Sequence, residues 1–442
     1  MKIKFLFYLV CLIGIKSLWA SPQKSIEERL AYLESQDKLH KSTNLKGLTD
    51  LEFSFPGQYR INSYSVNNDK DQQDQQTASR LRIRQSIDIK FNENLKSSLR
   101  FQLNHTNENT TNAQDVNGND VQIRHAVINY KLTPNNRFKA GLVPVLEYYH
   151  DTLYSKSWGY NPLALEGFSK VSNFDFHYFI SQLQENKETN SSDDTNHFQF
   201  DMTYHPSDKV SVTASSSYLN ILDLGSHYNV ALKTDAKISD NSSLMAIIMG
   251  SQSNKDLLNS AKNAQGYAVL LELLQSYSNF EVGLMFTHTS GKKDGSGFLV
   301  PMSFTKTNSY WGYTGVMTVM PQTDTGFASD SVHISNNGFG MSSYQTKISY
   351  YPNDKTLLYF GAGFFNNSQA ENRDSTVGYD VVAMYAYNFN TYLRVDVGID
   401  YAQLHDSLSG YTQGVIGGTR FNQDQGVTRY KTAFFSRLQL EF

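Results

Sequence analysis

Residues 79–91 read SRLRIRQSIDIKF. In an extended chain successive side chains point to opposite sides. Leu81, Ile83, Ile87 and Ile89 then share one face, and Arg80, Arg82, Arg84, Ser86, Asp88 and Lys90 share the other. A period of two over this length is the signature of a half-apolar strand. The same alternation starts at Leu51 and reaches the C-terminus. There Phe434, Leu438, Leu440 and Phe442 alternate with Phe435, Arg437, Gln439 and Glu441.

A soluble β-sandwich would alternate in the same way, so the connections decide. Tight polar turns recur at Asn92 to Leu95, Thr133 to Asn136, Pro206 to Lys209, Asp240 to Ser243, Ser276 to Asn279, Pro352 to Lys355 and Asn388 to Thr391. Longer polar loops fall between them, at 67–78, 106–120, 184–195 and 405–428. Short turns on one side and long loops on the other mark a transmembrane β-barrel. Tyr130, Tyr350, Tyr351, Tyr385 and Tyr387 sit at strand edges, where an aromatic girdle belongs.

Composition agrees. The 442 residues include 28 Tyr and 27 Phe, and only 18% are charged, below the roughly 25% of ordinary globular domains. No stretch after the first 20 residues is long and apolar enough for a spanning helix, which needs about 20 residues. The net charge of -3 argues against a nucleic-acid partner.

Residues 1–20 read as a signal peptide, with Lys2 and Lys4 before the apolar run Phe5 to Ile15 and Ala20 at the cleavage point. The single cysteine, Cys11, lies inside that run, so the mature chain has no disulfide and no thiolate metal site. Residues 21–46 hold the one convincing helix, 25–41, with Ser25 as cap and Glu28 at the capping-box position. Its Ile26, Leu30, Leu33 stripe fits either a trimerising periplasmic coiled coil or a short helix packed on the body. The barrel occupies 47–442. Strands are expected near 51–66, 79–91, 95–106, 121–132, 136–143, 163–171, 174–185, 196–205, 209–222, 226–238, 243–253, 264–275, 279–289, 342–351, 355–366, 376–388, 391–404 and 429–442, eighteen in all. Residues 290–341 read as one long loop or a further hairpin.

These features resemble the outer-membrane porins of Gram-negative bacteria. The matching residues are the signal peptide, the alternating strands and the final Arg437-Leu438-Gln439-Leu440-Glu441-Phe442. The resemblance implies an antiparallel barrel in the outer membrane, a passive channel for small hydrophilic solutes, and no cofactor. It also implies contact with outer-membrane lipid and lipopolysaccharide, and recognition of Phe442 by the barrel-assembly machinery. The helix SIEERLAYLE looks like the leader of some trimeric, substrate-selective porins, and a homotrimer is the assembly that goes with it.

An eighteen-stranded lumen is too wide for wall side chains to fill. The segment 144–162 (PVLEYYHDTLYSKSWGYNP) follows the fifth strand, where the loop of porins folds inward. Its acids Glu147 and Asp151, with Glu166 just after, would face a basic wall, and Tyr148, Tyr149, Tyr154, Trp158 and Tyr160 would offer stacking surface. Alternation points Arg60, Arg80, Arg82, Arg84, Lys96, Arg100, Arg124, Arg137 and Lys139 inward. Arginine on the lipid face costs about 2–4 kcal/mol at the midplane, and a charged lining sets ion selectivity. A plainer reading has these arginines only solvating the lumen and pairing with acids such as Asp88. Arg394, Asp396, Asp400, Lys431 and Arg437 read as ordinary wall.

Other classes find less support. His333-Ile334-Ser335-Asn336-Asn337-Gly338 resembles the His-x-Ser-Asn-Gly signature of outer-membrane phospholipase A, but carries an extra Asn and lies outside any clear strand. The 11 His form no metal-ligand pattern. A barrel with a closed lumen, serving as receptor or structural protein, remains the alternative from another class.

Overall fold

The structure is a computed structural model. It describes residues 43–44, 51–68, 76–106, 121–146, 148–149, 161–184, 195–221, 225–254, 263–300, 312–318, 320, 334–335, 338–368, 376–404 and 430–442. The expected signal peptide and the 25–41 helix lie outside the described residues.

Two short strands, β1 (Thr43–Asn44) and β2 (Glu52–Ser54), precede the wall. The wall follows in chain order: β3 (Gly57–Asn68), β4 (Gln76–Lys90), β5 (Leu95–Thr106), β6 (Val121–Thr133), β7 (Asn136–Leu142), β8 (Leu163–Val171), β9 (Phe174–Gln184), β10 (Thr195–Ser207), β11 (Val210–Ile221), β12 (Gly225–Ser239), β13 (Ser242–Ser253), β14 (Ala264–Tyr277), β15 (Phe280–Thr289), β16 (Met341–Asn353), β17 (Thr356–Asn367), β18 (Thr376–Asn388), β19 (Leu393–Leu404) and β20 (Tyr430–Glu441). Each wall strand is antiparallel to the next, and β20 returns to pair with β3, with Leu438 opposite Ile61. The result is a closed 18-stranded antiparallel barrel. The eighteen strands expected from alternation are all present.

Two departures have local causes. The first expected strand is split at Phe55-Pro56, because proline has no N–H for the ladder. β2 nevertheless continues the β3 register along β4, with Ser54 opposite Asp88 and Gly57 opposite Gln85. In β6, Arg100 of β5 faces His125 and Phe101 faces Ile123, which leaves Arg124 as the extra residue of a β-bulge.

The outer surface is apolar. Ile61, Ile128, Leu165, Ile180, Val230, Ile248, Leu284, Phe360 and Phe434 all face outward and are exposed. Ring contacts edge this band at both ends. Tyr59–Phe442, Tyr130–Phe138, Phe174–Tyr204 and Phe280–Tyr350 lie at the tight-turn end. Tyr218–Tyr228, Tyr267–His288 and Phe286–Tyr344 lie toward the long loops. An apolar belt between two aromatic girdles is the exterior of a membrane barrel. Among the described residues no helix is long and apolar enough to cross a membrane.

Candidate pore and its lining

The inward faces of β3 to β7 carry Arg60, Arg80, Arg82, Arg84, Lys96, Arg100, Lys131, Arg137 and Lys139, and the acid on these strands is Asp88. Arg60 Nε donates to Gln439 Oε1 at 2.7 Å, Arg82 to Gln58 Oε1 at 2.8 Å, Arg84 Nε to Gln102 Oε1 at 2.5 Å and Arg100 Nε to Ser86 Oγ at 2.8 Å. These acceptors are neutral, and they orient the guanidinium groups. Asp88 accepts from Ser98 Oγ at 2.5 Å. Farther round, Asp396 takes both Arg394 (2.7 Å) and Arg437 (2.5 Å).

Next to this wall lies a buried centre that sequence alternation contained but did not assemble. His177 on β9 holds Asp201 of β10 at 2.5 Å through Nδ1 and Glu166 of β8 at 3.1 Å through Nε2. Lys139 of β7 closes on the other Glu166 oxygen at 2.6 Å. Gln199 Nε2 donates to Asp201 at 2.7 Å and to the Leu146 carbonyl at 3.1 Å, tying the first inward segment to the wall. The lysine and the histidine satisfy the two carboxylates, as buried charge requires. Glu166 is therefore wall, not loop, with its side chain fully buried.

Among the described residues, the lumen is filled mainly against β8 to β19. Val143, Val145 and Tyr149 from the segment after β7 meet Phe298, Val300, Val316, Met317 and Ile334 from the segment after β15. They pack against inward-facing Phe179, Ile247, Met249, Leu270 and Phe365 of the wall. The stretch that read as an unassigned loop or hairpin, 290–341, is thus an inward fold among its described residues.

Glycines make room for it. Gly283 and Gly361 lie on inward faces of β15 and β17. A Cβ on Gly361 would overlap the Tyr313 carbonyl oxygen, and one on Gly283 would press on Lys347 and the Tyr313 hydroxyl. Gly266 is crowded in the same way by the Phe298 backbone. Strand glycines mark close backbone approach.

The segment is then pinned by hydrogen bonds. Tyr313 N donates to Gln345 Oε1 at 2.8 Å, its hydroxyl donates to Glu272, and its carbonyl accepts from Tyr359 at 2.8 Å. Asp380 Oδ2 accepts from Val316 N at 3.1 Å and Met317 N at 2.6 Å. Burial, with the Glu272 charge beside it, pushes the Tyr313 phenol well above its ordinary range. Burial also raises Tyr148, with Asp201 and Glu166 adding to it.

Of the expected loop residues, Tyr149 is buried against the wall, while Glu147, Asp151, Tyr154, Trp158 and Tyr160 lie outside the described residues. Ser335 is fully buried, and its carbonyl accepts from Gly338 and Gly340 at 3.0 and 3.2 Å. His333, Asn336 and Asn337 lie outside the described residues. Phe442 seals the seam: its ring stacks on Tyr59 at 5.7 Å, and its backbone exchanges bonds with Gly57 at 2.8 and 3.1 Å. Among the described residues no group of His, Cys, Asp or Glu is arranged to hold a metal.

No protein-family model matches the chain, and no curated protein matches it. Solved structures do. Pseudomonas aeruginosa OccK5 (OpdH) superposes with a TM-score of 0.55 at 11% identity, over 88% of this chain and 98% of that one. Acinetobacter baumannii OccAB2 gives a TM-score of 0.55 at 10% identity over the same shares. Pseudomonas aeruginosa OpdK with vanillate gives 0.53 at 10% identity, over 88% of this chain and 99% of that one. At these identities the likeness establishes the fold, and that fold is the outer-membrane porin barrel.

Proposed function

We propose that this chain is an outer-membrane porin, a passive diffusion channel for small hydrophilic solutes with a preference for anions. The observation that carries the reading is the division of the lumen. Among the described residues, two inward segments fill the lumen against β8 to β19 with apolar side chains, and the basic faces of β3 to β7 line the rest. A water-filled path beside a wall of one sign concentrates ions of the other sign. Arg60, Arg80, Arg82, Arg84, Arg100 and Arg124 form the central lining, with Arg137 and Lys139 toward the tight-turn end. Glu147 and Asp151 would oppose them from the loop, and Tyr154 and Trp158 would add stacking surface.

A signal peptide over 1–20 would deliver the chain to the periplasm, and Phe442 would present the last strand to the barrel-assembly machinery. Lipid and lipopolysaccharide would surround the apolar belt, and the 21–46 segment would serve a homotrimer. The channel reading is favoured over hydrolysis because Ser335 is buried and its backbone is used in closing the loop.

Planar-bilayer recording tests the proposal. Folded protein should give discrete single-channel currents with an anion-selective reversal potential. Neutralising Arg82, Arg84 and Arg100 to Gln should move that potential toward zero. Absence of current would defeat the channel, and an unchanged potential would defeat the lining. OpdK is seen with vanillate, and an aromatic carboxylate is accordingly the first solute to assay here.

A further inference from the structure

We propose that the tight-turn end of the lumen holds a binding site for a small soluble oxyanion, phosphate or carboxylate, built on Lys96, Lys131 and Arg137. These residues line a cavity of about 680 Å³ between the inward faces of β5 to β10 and Tyr148. That volume falls in the range of small-molecule sites, about 300–1,000 Å³.

The charge balance around the cavity points to an anion. Each acid on the lining contacts a cation, and two of those cations are shared, Lys90 with Glu52 at 3.3 Å and His177 with Glu166 at 3.1 Å. Glu93 pairs with Lys90 at 2.7 Å, Asp175 with His205 at 2.9 Å and Lys170 at 3.8 Å, and Asp201 with His177 at 2.5 Å. The Glu93 charge is also felt by Lys96 and Lys131, but its contact is with Lys90. Among the described residues, Lys96, Lys131 and Arg137 have no acid within ion-pair distance.

Geometry sharpens the point. Lys131 and Arg137 are direct cross-strand partners on β6 and β7. Like charges in that position destabilise a sheet. Lys96 sits diagonally, opposite Asn129. The Arg137 guanidinium is held 4.4 Å over the Phe168 ring, which fixes its direction. Three cations lining one cavity on a rigid wall become favourable once an oxyanion accepts charge-assisted bonds from them. The side chains face the lumen, so the occupant arrives through water and is not a lipid headgroup. The site does not depend on conduction, because the tight-turn end opens to solution whether or not the channel conducts.

Isothermal titration of the folded full chain in detergent micelles, at low ionic strength, tests it with inorganic pyrophosphate, and a parallel titration with succinate separates phosphate from carboxylate chemistry. One site should appear with at least one of the two probes. The Lys131→Gln/Arg137→Gln pair should weaken it by about tenfold or more, the loss expected for charged hydrogen bonds. Lys131→Arg should retain binding, which shows that the wall still folds. Lys355→Gln, at a different tight turn, should leave binding unchanged. No heat with either probe, an undiminished double variant, or an equal loss in Lys355→Gln would each overturn the site. A chain that binds but does not conduct would refute the channel and leave the site standing.

Discussion

The Tyr313 carbonyl lies against Gly361 so closely that a Cβ on Gly361 would overlap it, and the same carbonyl accepts the Tyr359 hydroxyl at 2.8 Å. A wall strand and an inward segment are thus fitted backbone to backbone. Gly361→Ala should keep the barrel, since β17 pairs through backbone groups, but should displace Tyr313. Single-channel conductance should rise and become noisier. A variant with the conductance and noise of the wild type would show that this contact does not hold the segment.

Asp380 provides a second fastening, through the Val316 and Met317 amides. Hydrogen bonds to a charged group contribute about 1.5–3 kcal/mol each. Asp380→Ala should therefore raise the hydrogen-exchange rates of those two amides by an order of magnitude or more, while the amides of β13 and β14 stay protected. Equal loosening of wall and segment would mean that the aspartate supports the barrel as a whole.

Alkaline pH should act through Tyr313. A buried phenol with a raised pKa binds its proton more tightly than the same phenol in water. Its contribution is intact below the ordinary tyrosine value of about 10 and is lost progressively as pH rises above it. Conductance measured from pH 8 to pH 11 should increase near the top of the range. Tyr313→Phe should start from a higher conductance, having lost the bond to Glu272, and should show a smaller alkaline rise. An identical rise in that variant would assign the effect to other groups.

The seam offers a test of assembly. Phe442 stacks on Tyr59 while its backbone pairs with Gly57, and a Cβ on Gly57 would meet the Phe442 ring. Phe442→Ala should lower the fraction that refolds into detergent in the heat-modifiable, barrel-shifted form on gels. Gly57→Val should do the same by forcing the ring aside. Refolding yields equal to wild type in both would remove the ring from any role in closure.

The wall was legible because alternation is a local property. Leu81 and Arg82 declare opposite faces without knowledge of any distant residue. The Arg124 bulge was not, since a one-residue register change appears only when Phe101 is matched to Ile123. The His177 centre was half legible: Glu166, His177 and Asp201 each fall on an inward face, but only closure of β8, β9 and β10 makes them neighbours. The inward fold after β15 was the largest omission. Its apolar residues look like any short apolar run, and its fastenings lie far away at Glu272, Gln345 and Asp380. The usable signal was the glycines, since Gly283 and Gly361 sit on inward faces beside Met285 and Tyr359, and Gly266 lies between two alanines on its inward face.

The apolar packing inside the barrel ties two properties that are separable in a wider, water-filled tube. Phe298, Val316 and Met317 occupy part of the lumen, and they are also fully buried side chains. Truncating a residue of that size in a packed interior typically costs 2–5 kcal/mol. Mutations that widen the aperture by trimming these residues therefore also weaken the fold. Drift toward larger solutes is opposed by thermodynamics as well as by any selection on permeability, and broadened variants should recur at the basic face, where side chains can change without opening a cavity.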